Sequence, residues 1–419
     1  MGITRMDRCN PQPKPQTNPQ RAPQRVSPIA VLCFALCASG CGQSAPDVPY
    51  EDVLRAALEA AQPGTVIDIP AGTHTFRRSL VLNVSGVTLR GAGMDQTVLS
   101  FKDQVAGAEG LLVTGGDFLI EDLAIEDTVG DALKITGGRN VTIRRVRTEW
   151  TNGPDTGNGA YGIYPVQTEN TLIEESVAIA ASDAGIYVGQ SRNVVVRNNQ
   201  ALRNVAGIEI ENTIGADVYG NLATENTGGI LVFNMPDLPM SGHSTRVYDN
   251  DVLANNTANF GAPGSAVAGV PAGSGIVINA NDRVEIFGNR IGANQTANIL
   301  VSSLFSAAYA ANKAPAADFD PYPEEIAIYG NTLTPGGQKP DRPALETLRV
   351  ALAGAEGRLP DIVWDGILDP DRPTDRAVLC IDNPGATFVN VDAANDYASP
   401  STDLAPHDCA LPPLPAVTL

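Results

Sequence analysis

The chain has 419 residues, a formal charge of −19 and an aromatic content of only 5%. No basic patch stands in its body, which argues against nucleic acid as a partner, and so acidic a surface disfavours anionic partners unless cations bridge them. The length would allow two or three ordinary domains, yet one solenoid can absorb most of it, because stacked Ile, Val and Leu fill a narrow core without many rings.

Residues 1–40 read as an addressing segment. Arg5, Arg8, Lys14, Arg21 and Arg25 form a basic start, and residues 29–38 an apolar run too short to cross a bilayer as a helix. Ala38-Ser39-Gly40-Cys41 follows and resembles a bacterial lipobox, with Ala38 where that pattern usually has Leu. The resemblance implies that Cys41 becomes a lipidated first residue and anchors the mature chain in the cell envelope, in the outer membrane or periplasm. An ordinary cleaved signal with an incidental Cys41 is the alternative. Cys9, Cys33 and Cys37 leave with the segment, so Cys380 and Cys409 remain as a pair in an oxidising compartment, where a disulfide is expected. A metal site with His407 would need tighter spacing.

Residues 41–62 read as a tether and an N-terminal cap helix. Val53, Leu54, Ala57, Leu58 and Ala61 recur at helical spacing before Pro63-Gly64 stops the run. A helix there would cover the open first coil, whose unpaired edge otherwise invites aggregation. Thr65-Val66-Ile67-Asp68-Ile69-Pro70-Ala71-Gly72-Thr73-His74 and Gly86-Val87-Thr88-Leu89-Arg90-Gly91-Ala92-Gly93 resemble the first coils of pectin-lyase-like proteins. The fold implied is all-β, a right-handed parallel β-helix.

Residues 63–337 carry the repeat. Gly162-Ile163-Tyr164, Gly185-Ile186-Tyr187, Gly207-Ile208-Glu209 and Gly229-Ile230-Leu231 follow at intervals of 23, 22 and 22 residues. Gly275-Ile276-Val277 comes 46 residues later, read as about two periods with extra residues. Units of this length bury their apolar faces only by stacking. Asn199, Asn221, Asn250, Asn289 and Asn331 recur at turns and are expected to stack as a structural ladder. Residues 235–245, 258–274 and 304–323 interrupt the rhythm, and such loops tend to gather on one face. Beyond Gly337 the period is lost. Residues 338–419 read as a C-terminal cap with a helix over 343–356, Trp364 and the Cys380–Cys409 pair.

If the repeated isoleucines point inward, their successors point out. One outer face then reads Lys134, Tyr164, Tyr187, Glu209, Leu231 and Val277, with Gln167, Gln190, Glu211, Phe233 and Asn279 expected beside it. Successive coils lie about 4.8 Å apart, which makes an exposed groove of rings and carboxylates. Rings suit the apolar face of a pyranose; carboxylates and amides suit its hydroxyls. Lys134, Tyr187 and Glu209 are the candidate catalytic residues, and Tyr161, Tyr164, Gln167, Gln190, Glu211 and Phe233 the candidate binding residues. Glu209 and Glu211 stand i,i+2 on one strand, close enough to raise one pKa or to hold calcium, the one cofactor the pattern admits. Asp131 and Asp183 match at a coil boundary, each followed by Ala, and read as turn caps.

Tyr161-Gly162-Ile163-Tyr164-Pro165-Val166-Gln167 resembles in context the Tyr-Gly-Phe-Asp-Pro-His-Asp motif of bacterial mannuronan epimerases. Tyr164 and Val166 stand where that family keeps its acid/base pair. The runs Gly185-Ile186-Tyr187-Val188-Gly189-Gln190 and Glu209-Ile210-Glu211-Asn212, with Pro406-His407-Asp408-Cys409, resemble more closely a group of exported parallel β-helix repeat proteins. That resemblance implies a surface or periplasmic lipoprotein and makes an exported c-type cytochrome a candidate partner. The expectations are thus a polysaccharide-binding β-helix, a lyase or epimerase of uronic-acid polymers, or a scaffold for that cytochrome.

Overall fold

A computed structural model describes residues 48–307, 319–371 and 377–419. The addressing segment, Cys41 and the tether up to residue 47 lie outside the described residues.

Short parallel strands wind into a right-handed β-helix with three rows of strands. One row forms an 11-stranded sheet that opens with Arg78–Leu82 and closes with Phe388–Asn390. The other two rows share two long bent strands, Phe118–Glu126 and Arg139–Glu149, which join them into one sheet. The inward stack of the 11-stranded sheet runs Leu133, Ile163, Ile186, Ile208, Ile230, Ile276, Ile299, Ile362 and Phe388, each the register partner of the next. All are buried, and each buried aliphatic contributes about 1.5–3 kcal/mol. The period-2 alternation read from the sequence is this stack.

Two sequence readings need correction. Ile230 pairs directly with Ile276, so the 46-residue interval is one coil, not two. The strands His243–Tyr248 and Asp251–Leu253 complete that coil, and the surplus lies in two excursions around them. The solenoid also does not stop at residue 337. Ile362–Trp364, Leu379–Asp382 and Phe388–Asn390 continue all-parallel pairing, so Trp364 belongs to a coil rather than to a wrapping tail.

Asn199, Asn221, Asn250, Asn289 and Asn331 form a buried ladder, each side chain donating to the next at 2.9–3.0 Å. A second ladder, Asn204, Asn226, Asn255 and Asn294, runs beside it at 2.9–3.2 Å and was not anticipated. Outside, Tyr219, Tyr248, Phe287 and Tyr329 stack with centroids 4.8–5.0 Å apart.

Helix α1 (Tyr50–Ala60) lies against the first coils. It buries Leu54 and Leu58, and Arg55 donates to the Ser79 carbonyl at 3.2 Å. Glu51 and Asp52 in its first turn complement the helix dipole where Pro49 offers no side-chain cap. Helix α2 (Pro343–Ala353) starts on proline and ends at Gly354, whose φ of 73° needs no Cβ. Its Leu348 packs with Val363, Val389 and Val391 on the outer side of the 11-stranded sheet. Cys380 and Cys409 are joined by a disulfide. His407 Nδ1–H donates to the Leu379 carbonyl at 3.0 Å, and the ring packs on Trp364 and Phe388. The last residues then run back along the outside, Leu414 N–H donating to Glu285 and Val417 N–H to Asp217.

Candidate functional site

The outer face of the 11-stranded sheet carries the column expected from the repeat. Lys134 pairs in register with Tyr164, Tyr187 with Glu209, Glu209 with Leu231, and Leu231 with Val277. The second column differs by one residue in its first two coils. Val166 and Gly189, not Gln167 and Gln190, stand in line with Glu211, Phe233 and Asn279. Gln167 and Gln190 occupy the next corner in the left-handed region, φ 56° and 47°, where the strand has already ended. Gln167 faces solvent away from the site. Gln190 reaches back into it.

The face is not an open groove. Tyr187 is 4% exposed, Glu209 1% and Leu231 0%. The excursion after residue 257 folds over them, so that Val267, Val270 and part of Phe260 form a small second core with Tyr187, Leu231, Phe233 and Val277. Apolar outward residues on three successive coils need such a cover, since their burial is what holds the loop down. Phe233 is therefore a packing residue under this cover. The open end of the site is the N-terminal one, where Tyr161, Tyr164 and Lys134 remain half-buried.

There the three tyrosines meet. The Tyr161 ring lies 4.4 Å from Tyr164 and 4.7 Å from Tyr187, and Tyr164 meets Tyr187 edge-on at 4.9 Å. Lys134 Nζ sits 4.9 Å above Tyr164, 3.4 Å from Asp131 and 3.6 Å from Glu109. Burial pushes the Tyr164 phenol up to about 12, and raises those of Tyr161 and Tyr187 further. All three stay protonated, so each phenol keeps a proton to donate. Tyr187 uses its proton on Glu211, donating to Oε1 at 2.5 Å, while the Gln190 amide donates to both at 3.1 and 3.3 Å. Tyr187 thus positions a carboxylate and is itself no base.

Beneath the rings lie three carboxyl groups. Burial, then the nearby Asp183 and Glu211, hold the Glu209 pKa well above the usual carboxylate range. Its Oε2 is buried without a hydrogen-bond partner. Burial, Glu211 and Asp131 raise Asp183 to about 7. Burial raises Glu211 too, opposed by the Tyr187 bond. Asp131 is raised by burial against the pull of Lys134. The environments push these groups apart. Glu209, dry and unpartnered, keeps its proton; Glu211, bonded to Tyr187 and Gln190 and nearer solvent, gives it up more readily. One protonated and one ionised carboxyl within a single site is what acid–base chemistry requires.

Asp183 and Asp131 were read as turn caps, and Glu109 was not singled out. The structure gathers all three around the predicted residues. The signal was the matched corner position of Asp131 and Asp183, one coil apart and adjoining the tyrosine coil. Among the described residues no set of three or more His, Cys, Asp or Glu side chains is placed to hold a metal ion. Farther along the same face, Val277, Leu300 and Val363 floor a cavity of about 320 Å³, walled by Val270, Leu345 and Arg342.

Residues 82–252 match the family model of the right handed beta helix region. The A-module of Azotobacter vinelandii mannuronan C-5 epimerase AlgE6 is similar at 19% identity and a TM-score of 0.50, over 80% of this chain and 87% of that one. The AlgE4 A-module of the same organism gives 18% and 0.48, over 80% and 89%. The DFA-IIIase of Arthrobacter chlorophenolicus A6, solved with DFA-III, gives 12% and 0.44, over 76% and 87%. No curated protein matches the chain. At this identity the likeness to the AlgE6 module is one of fold, a right-handed parallel β-helix.

Proposed function

We propose that this β-helix binds a polysaccharide across Tyr161 and Tyr164 and carries out acid–base chemistry on it with Glu209, Glu211 and Asp183. The observation that carries this reading is the buried, unpartnered Glu209 carboxyl on the coil next to Tyr187, whose ring meets those of Tyr161 and Tyr164. An orphaned buried carboxyl is costly and persists where a substrate group is to complete it. Half-buried rings at the open end give a sugar ring an apolar surface beside hydroxyl donors. The proton-handling groups stand one to two coils beyond Tyr164 and Val166, so the proposed chemistry does not use the positions that mannuronan epimerases use.

Each aromatic contact of this kind contributes about 0.5–1.5 kcal/mol. Tyr161→Ala/Tyr164→Ala should therefore weaken binding to the best glycan of an array by about 10- to 100-fold, measured by titration calorimetry. Tyr187 is left intact because its removal would strip Glu211 of its donor. Equal affinity in the double variant would sink the reading.

The mature chain is further proposed to sit in the cell envelope, anchored by lipid on Cys41. The Ala38-Ser39-Gly40-Cys41 run and the Cys380–Cys409 disulfide, a bond that persists in oxidising compartments, support this. The full-length protein should partition into a detergent phase, and Cys41→Ser should move it to the aqueous phase. A wild-type protein found only in the aqueous phase rules the anchor out.

A further inference from the structure

We infer that the polysaccharide taken by this site carries no acidic groups. The inference rests on the reading that the site binds a polysaccharide, and it follows from the balance of fixed charge around the place where the chain would lie.

Five carboxyl groups surround the tyrosine cluster: Glu109, Asp131, Asp183, Glu209 and Glu211. One cation stands among them. Lys134 is already shared between Asp131 and Glu109 and is seated on the Tyr164 ring, so its charge is spent inside the protein. Among the described residues no lysine or arginine is paired with Asp183, Glu209 or Glu211. A uronic-acid polymer brings one carboxylate per sugar. Each would have to lie beside Glu211 and the Asp131–Glu109 pair, with no unpaired guanidinium or ammonium among the described residues around the site to receive it. Uronate recognition calls for the donor forks that arginine supplies, and none of the described residues around the tyrosines supplies one.

Lys134, 25% exposed and paired with Asp131 and Glu109, stands at the open mouth beside Tyr164. The groups left for the ligand are phenol donors, a protonated carboxyl, an ionised carboxyl and aromatic faces. That set matches sugar hydroxyls and the C–H face of a ring.

The test is affinity electrophoresis of the intact chain in native gels cast with galactomannan or dextran, or with alginate or pectate. At least one uncharged polymer should retard the wild type with an apparent affinity about tenfold or more above that for alginate and pectate. Asp131→Asn/Asp183→Asn should narrow the gap to alginate, which separates a charge effect from one of shape. Retardation by alginate or pectate at least as strong as by every uncharged polymer overturns the inference and leaves the carbohydrate reading standing. Retardation by no polymer, in a protein with an unchanged β-sheet circular dichroism spectrum, removes the carbohydrate reading and the inference with it.

Discussion

Glu209→Gln is expected to give a protein more stable than the wild type above neutral pH and no more stable near pH 4, with the proposed acid–base activity lost. The sign follows from proton linkage. Burial and two neighbouring carboxyls raise the Glu209 pKa in the folded state, so the fold binds that proton more tightly than the unfolded chain does. Below the ordinary glutamate value of 4.5 both states are protonated and the site is neutral in its effect. As pH climbs past that value the unfolded chain releases its proton first, and the wild type loses stability until the folded pKa is passed. Glutamine has nearly the same shape and no proton to lose, so the advantage of the variant opens above pH 4.5 and widens through neutrality. Asp183→Asn should behave alike over a window bounded by the ordinary value of 3.8 and the raised value of about 7. A pKa unit corresponds to about 1.4 kcal/mol, which makes the Asp183→Asn gain on the order of 4 kcal/mol at most; the Glu209→Gln gain has the same sign. The carboxyls act on one another, so removing both should give less than the sum. Denaturant midpoints across pH 4–9 provide the measurement. A Glu209→Gln variant less stable than the wild type at pH 8 would show that the carboxylate is stabilising and the assignment wrong.

The largest loss of stability should come from the asparagine ladders. Asn250 donates to the Val218 carbonyl and to Asn289 Oδ1, each at 2.9 Å, and accepts from the Asn221 backbone and side chain at 3.0 and 2.9 Å. Asn250→Ala would remove all four bonds at a position that water does not reach; Asn289 Oδ1 keeps the Asn250 backbone N–H and the Asn221 amide keeps the Val196 carbonyl, while the Asn221 N–H and the Val218 carbonyl lose their side-chain partner. Each buried orphan costs about 1–3 kcal/mol, so a loss of about 2–5 kcal/mol is expected. Because each coil touches mainly its neighbours, the damage should be local. Hydrogen exchange should speed up in the strands around residues 218, 247 and 286 and little near α1. Uniform exchange throughout, with an unchanged denaturant midpoint, would mean that the ladder contributes nothing.

The inward isoleucines were legible because two periods coincide there, alternation along each strand and 22 to 23 residues between strands. The first asparagine ladder was legible because Gly, Asn or Asp precedes each member in Tyr-Gly-Asn and similar turns. Asn204 and Asn226 stand before Val205 and Thr227, with no such flank, and their ladder went unseen. The 46-residue interval misled because length alone does not separate two coils from one coil with long excursions; the doubled turn signals within it belong to the other two rows. Coils past residue 337 were hidden by residues 338–361, which interpose α2 between successive strands. The register of the outer face was correct at Lys134, Tyr164, Tyr187 and Glu209, but its exposure was not. Outward Leu231, Phe233 and Val277 already hinted at a cover, yet no residue pattern says where an excursion of Gly, Ala and Pro will fold back. That cover packs on Tyr187 and Leu231, the register partners on either side of Glu209, whose burial raises its pKa. Asp183 entered the site for the same reason: a corner residue reads as a turn cap until the neighbouring coil brings Glu211 beside it.

The most direct test of the account is a structure of the intact chain with an oligosaccharide cut from whichever uncharged polymer retards it. The account predicts a sugar ring against Tyr161 and Tyr164, with a hydroxyl or bridging oxygen within about 3.2 Å of the Glu209 carboxyl. An oligosaccharide bound on either of the other two rows of strands, with Glu209 still unpartnered beneath the loop, would contradict it.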